Sequence, residues 1–169
     1  AGGQITSQAK QNADLADVQM AGADGIFSPD FLAAAGDASE GFLWSSPDFS
    51  AFGGGYQDFL AQHQEKYAEA PLAPFHAHSY DAYNLIADAV EKVAVSCSDG
   101  STVIARTALR DAMLATSGMQ GLTGNLACNA TGDCADPKIA VYQGISADRA
   151  TWNPGAAEDS NPKKIWPTN

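Results

Sequence analysis

Two cysteines bracketing a polar turn, Cys128 and Cys134 in "GNLACNATGDCADPKIAVY" (residues 124–142), constrain this chain more than any other local feature. The residues between them, Asn129 to Asp133, are mostly turn formers, and Gly132 can take a positive φ without a Cβ clash. The flanks, Leu126 to Cys128 and Lys138 to Tyr142, read as short strands, so the stretch is expected to be a β-hairpin closed by a Cys128–Cys134 disulfide. Closing so short a loop stabilises by about 2 kcal/mol. Zinc is the competing use of such thiols, and it fails on ligand count, because Cys97 is the remaining cysteine and no CxxC…CxxC set exists. A disulfide implies an oxidising compartment. Asn129-Ala130-Thr131 also fits the N-glycosylation pattern, a three-residue match common by chance.

Composition narrows the partners. A chain of 169 residues, 45% hydrophobic, can bury one sizeable core. Its 20 acidic against 9 basic residues (net charge −11) disfavour nucleic acid and anionic membrane surfaces, both of which reward clusters of Lys and Arg. No apolar run approaches the roughly 20 residues needed to span a bilayer. The start, "AGGQITSQAKQ", shows no signal-peptide pattern and no initiator methionine, so a processed or truncated start is expected.

Along the chain, residues 4–11 read as a short helix and Val18 to Ala21 as a short strand ending in a loop that carries Asp24. "SPDFLAAAG" carries a full set of helix signals: Ser28 at N-cap, Pro29 at N1, Asp30 against the dipole and Gly36 as the stop. "GFLWSSP" (41–47) reads as a strand halted by Pro47. A helix follows "GGG" (53–55), with Tyr56, Phe59, Leu60, His63 and Tyr67 expected to face inward. A glycine run before a helix can cradle phosphate, but no GxxxxGK[ST] follows. A second helix is predicted over Ser79 to Val95, facing inward with Tyr83, Ile86, Ala87, Val90 and Val93. A third is predicted over Thr102 to Thr116, with Ile104, Ala108, Ala112 and Met113 inward. Beyond Gly144 a polar, proline-bearing tail is expected to wrap the surface, anchored by Trp152 and Trp166. Strands alternating with helices indicate an α/β protein, with few strands for a complete doubly wound domain.

Candidate chemistry is sparse. "HAHSYD" offers His76, His78 and Asp81 as metal ligands, but residues i and i+2 at a helix start do not share a face, which favours solvated or capping histidines. No serine sits in GxSxG, and Cys97 lacks a recognisable catalytic partner. Asp24, in "GADG" just past a strand, lies where α/β sheets place ligand-binding groups and can pair with an ammonium ion; an ordinary turn aspartate is the plainer reading.

Three segments taken together carry a resemblance: "GADGIFSPDFLAAAGDASEGFLWSSP", "FLAQHQEKYAEAPLAPFHAHSYDAYNLIADAVEKV" and "ALRDAMLATSGMQGLTGNLACNATGDCADPKIAVYQ". Over residues 4–143 they resemble, in the family's order, the branched-chain amino-acid-binding proteins of bacterial ABC importers. The resemblance implies a periplasmic-binding-protein type I fold, an α/β flytrap of two lobes joined by a hinge. It implies a receptor, not an enzyme, with no cofactor and no metal. The ligand would be a branched-chain or other small amino acid held between the lobes, and the partner a membrane permease. The location would be periplasmic or extracellular, lipid-anchored or free.

Carried over by position, Asp24 is implied to hold the ligand ammonium and Phe75 to line the pocket. Phe75 stands where some relatives have tyrosine, so a hydroxyl contact is lost there. The chain matches the second half of a family member. Residues 1–46 are expected in the C-terminal lobe, 47–122 in the N-terminal lobe, and 123–169 back in the C-terminal lobe. The first N-lobe strands and the usual donors to the ligand carboxylate are missing, so a fragment is expected. The alternatives are a sensory receptor of the same fold binding an amide or urea, and a metal-dependent enzyme using His76, His78 and Asp81.

Overall fold

Ser28-Pro29 starts a helix for the reasons its residues suggest. Ser28 is extended at the N-cap, Pro29 occupies the first turn with φ already helical, and Gly36 ends the helix at φ 57°, a value that favours glycine. The computed structural model describes residues 1–135 and 137–168. Its helices are α1 (Gly2–Gln11), α2 (Pro29–Ala35), α3 (Tyr56–Tyr67), α4 (His76–Val93) and α5 (Arg106–Leu114). Its strands are β1 (Ala21–Gly22), β2 (Leu43–Pro47), β3 (Val95–Ser96), β4 (Thr102–Val103), β5 (Met119–Gln120), β6 (Asn125–Leu126), β7 (Ile139–Gln143) and β8 (Lys163–Trp166). Among the described residues no helix is long and apolar enough to cross a membrane.

Two compact units divide the chain. The first holds Ala1–Ala51, Ala70–Pro74 and Lys138–Asn169; the second holds Phe52–Glu69 and Phe75–Pro137. These breaks fall later than the expected segment ends at 46 and 122. Two backbone bonds give the reason: Asp48 N–H donates to the Lys138 carbonyl (2.8 Å) within the first unit, and Cys128 N–H donates to the Thr116 carbonyl (2.9 Å) within the second.

The first unit is built on a four-stranded sheet of order β1-β2-β7-β8, parallel between β1 and β2 and antiparallel elsewhere. Side chains alternate along β2 and β7, so Trp44 and Tyr142, paired in register, both point inward. They meet Phe27, Phe31, Leu32, Ala35, Phe42 and Ala140 in one buried cluster. Phe31 lies edge-on to Trp44 at a centroid distance of 5.1 Å, and Phe27 lies 5.0 Å from Tyr142. Trp152 anchors the tail as expected, 5.0 Å from Phe27, whereas Trp166 is 57% exposed. β8 was hidden in that tail because its burial alternates too weakly to stand out between prolines. Asn161 fastens the rest, accepting from Ile145 N–H (2.9 Å) and donating to the Ser146 carbonyl (2.9 Å) and to Thr151 Oγ1 (2.8 Å).

The second unit holds α3, α4 and α5 with two short ribbons, β3–β4 and β5–β6. The predicted helix over 102–116 starts later, at Arg106, because Thr102–Val103 pair with Val95–Ser96 around the Cys97–Gly100 turn. Within α5 none of the helical residues is buried, and Ile104 lies outside it, exposed. Tyr67 of α3 is exposed as well. On α4 the inward stripe is Ala77, Asp81, Leu85 and Ala89, at i+4 spacing, rather than the expected one, of which Tyr83 and Ile86 stay 72% and 44% exposed. Small Ala77 and Ala89 permit close approach, and Asp81 is drawn in by backbone donors described below.

The expected hairpin does not form. β6 pairs with β5 (Met119↔Leu126), while β7 lies between β2 and β8 in the other unit, where Ala140 and Tyr142 complete the core. The turn and the disulfide are present nonetheless: Cys128 and Cys134 are bonded. Between them Asn129 Oδ1 accepts from Thr131 N–H (2.9 Å), the Thr131 hydroxyl (2.7 Å) and Asp133 N–H (3.1 Å). Thermal melts with and without reductant should differ by about 2 kcal/mol in stability, the scale of closing so small a loop, and Cys128→Ser should reproduce the reduced value.

Candidate ligand-binding site

Asp24 opens a 3₁₀ turn, Asp24–Ile26, directly after β1. The turn is held from both sides, because Ile26 N–H donates to Ala23 (3.2 Å), Phe27 N–H donates to the Asp24 carbonyl (2.9 Å), and the Phe27 ring is buried in the core. Asp24 is half-buried, and its carboxylate has no hydrogen bond or ion pair among the described residues. A fixed, unpaired carboxylate at the end of a parallel strand is ready to accept charge-assisted hydrogen bonds from an ammonium group.

Phe75, in the second unit, is the residue before α4; Pro74 precedes it and its carbonyl accepts from Ser79 N–H (2.9 Å). The ring is 42% exposed and lies edge-on to His78 with centroids 5.5 Å apart. His78 also lies edge-on to Phe52 at 5.6 Å, and Phe52 to Tyr56 at 5.0 Å. Tyr56 shares a hydrogen bond with His76 Nε2 (2.8 Å), and burial pushes its phenol up to about 12. Burial holds the His78 imidazole below its ordinary value, against the opposing pull of the Asp81 carboxylate.

Asp81 is committed elsewhere. Its carboxylate accepts from Leu122 N–H (2.7 Å), Thr123 N–H (2.8 Å) and the Thr123 hydroxyl (2.6 Å), all buried. Hence His76, His78 and Asp81 each serve local packing or bonding, and among the described residues no group of three or more His, Cys, Asp or Glu converges. Gly53–Gly55 line a recess of about 610 Å³ that also carries Asn84, Asp88 and Glu91; among its described lining residues none is basic, which is the wrong charge for a phosphate cradle.

Asp24 and Phe75 therefore belong to different units. The place of Asp24 after a strand was read from the sequence, with an ordinary turn aspartate as the plainer reading. The contact of His78 with Phe75 was not singled out, although its i, i+3 spacing at a helix start was there to be read.

Comparison with known proteins gives a consistent result. A family model described as "Periplasmic binding protein" matches residues 2–149. No curated protein matches the chain. Among solved structures, the leucine binding protein LivK from Thermotoga maritima is similar at 25% identity and TM-score 0.68, over 86% of this chain and 39% of its own. The branched-chain amino acid transporter substrate binding protein LivJ from Streptococcus pneumoniae, in complex with isoleucine, is similar at 22% identity and TM-score 0.63, over 86% of this chain and 38% of its own. An ABC transporter substrate-binding protein from Desulfitobacterium hafniense, in complex with Leu, matches at 18% identity and TM-score 0.59, over 97% and 40%. The chain thus spans about two fifths of the length of these relatives, and it carries part of the type I periplasmic-binding-protein fold.

Proposed function

Because the chain belongs to the periplasmic binding protein family, we propose that it is part of an extracytoplasmic solute-binding component of an ABC importer, taking a branched-chain or other small amino acid and delivering it to a membrane permease. In this reading the first unit contributes to the C-terminal lobe and the second to the N-terminal lobe. Asp24 neutralises the ligand ammonium and Phe75 shields the apolar side chain. No bond is made or broken; ligand affinity that differs between two states shifts the population toward the tighter one.

The observation that carries this reading is the Asp24 carboxylate, half-buried on a rigid turn and unpaired among the described residues. Replacing Asp24 by asparagine in the full-length gene product is expected to weaken amino-acid binding by about 1.5–3 kcal/mol, roughly ten- to 150-fold. Calorimetry with leucine, isoleucine and valine measures it. An affinity equal to wild type would remove Asp24 from the site. Binding of an uncharged amide or urea, insensitive to the substitution, would favour a receptor for such ligands instead.

A further inference from the structure

Four buried side-chain atoms have no hydrogen-bond partner among the described residues: Trp44 Nε1, Ser46 Oγ, Thr116 Oγ1 and His78 Nδ1. Of these, only the last can take up a proton near neutral pH. Its half-buried ring packs edge-on against both Phe52 and Phe75, with centroids 5.6 and 5.5 Å away. A phenyl ring would fill the same slot without the cost of an unpaired buried nitrogen, which is about 1–3 kcal/mol.

We propose that His78 is a proton-sensitive positioning residue for Phe75. Neutral, it fixes the Phe75 ring from behind; protonated, it leaves the slot and frees that ring. The proposal rests on the reading that Phe75 lines the ligand pocket. Burial disfavours the cation in place, and the groups facing His78 do not offset that cost. Phe52 and Phe75 offer only ring edges and faces. Asp81, on the same helix, is the charged group that acts on it, and its two oxygens already serve Leu122 and Thr123. In the same first turn of α4, His76 Nε2 is engaged by the Tyr56 hydroxyl.

The sign follows from burial. The packed imidazole titrates below its ordinary value of 6.5, so the packed state binds fewer protons than the displaced one. Packing is therefore fully favoured above that ordinary value and weakens as pH falls below it, toward the lowered one. Phe75 support, and with it ligand affinity, should decline over the same window.

The test is calorimetric titration of the full-length protein with leucine at about pH 7.5 and about pH 5.5. Wild type should lose affinity several-fold on acidification. His78→Phe should retain it at both pH values, and His78→Gln, which cannot titrate, should show the same flat profile if the phenylalanine variant folds poorly. Loss of pH dependence only in His78 variants supports the proposal; a wild-type profile already flat, or one that persists in both variants, overturns it. Failure of the ligand-site reading shows separately, as Phe75→Ala and Asp24→Asn binding leucine like wild type at neutral pH. Ligand-free NMR decides the positioning role in that case. Phe75 ring resonances should move with the midpoint of the His78 imidazole, and resonances that ignore that titration would overturn it.

Discussion

Asp48→Ala should cost the first unit about 3–5 kcal/mol, because it strands a buried ammonium. Lys164 Nζ lies 3.3 Å from Asp48 Oδ2 and donates to Ser50 Oγ at 2.7 Å, and the two charged side chains are only 4% and 6% exposed. Ser50 closes the triad, donating from its hydroxyl to Asp48 Oδ1 at 2.6 Å. The triad ties β8 to the segment after β2, just before the chain passes out of this unit at residue 51. Urea unfolding measures the loss. The double variant Asp48→Ala/Lys164→Met should recover most of it, since replacing a whole buried pair by apolar groups is often neutral or better. Equal losses in the single and double variants would mean that packing, not the unpaired charge, carries the effect.

Asp81→Ala should cost the second unit about 3 kcal/mol or more. The carboxylate accepts from two buried backbone N–H groups and one hydroxyl in the 122–123 loop, and each orphaned donor carries about 1–3 kcal/mol. Gly121→Ala attacks the same contact from the other side, because its Cβ would fall 2.5 Å from Asp81 Oδ2. Hydrogen exchange at the Leu122 and Thr123 amides should accelerate in both variants. Unchanged protection there, with a lowered melting temperature, would place the damage elsewhere.

Local chemistry was the legible part of this chain. The cap, first-turn proline and terminal glycine of α2 act within a few residues, so they could be read one by one. The strands that carry Trp44 and Tyr142 were read from their local residues, yet their pairing was not, since nothing near residue 139 names a partner at residue 47. The inward face of α4 was misread for a similar reason. Apolar periodicity favours Tyr83 and Ile86 and cannot promote a carboxylate to the buried stripe, whereas the donors that bury Asp81 lie about forty residues downstream. Of the two residues proposed for the binding site, Asp24 was suggested by its position after a strand, and Phe75 by family resemblance alone.

The sheet of the first unit has a consequence for the order of events during synthesis. β2 needs β7 beside it, and the Tyr142 hydroxyl reaches back to the Pro47 carbonyl at 2.9 Å, across 95 positions of chain. The second unit is fully made once residue 137 emerges, while Phe27, Phe31 and Trp44 still lack Ala140 and Tyr142 to cover them. Between the emergence of Trp44 and that of Ala140 and Tyr142 the growing chain therefore carries an uncovered aromatic surface. Through that interval it stays suited to threading through a pore and vulnerable to clumping with its neighbours.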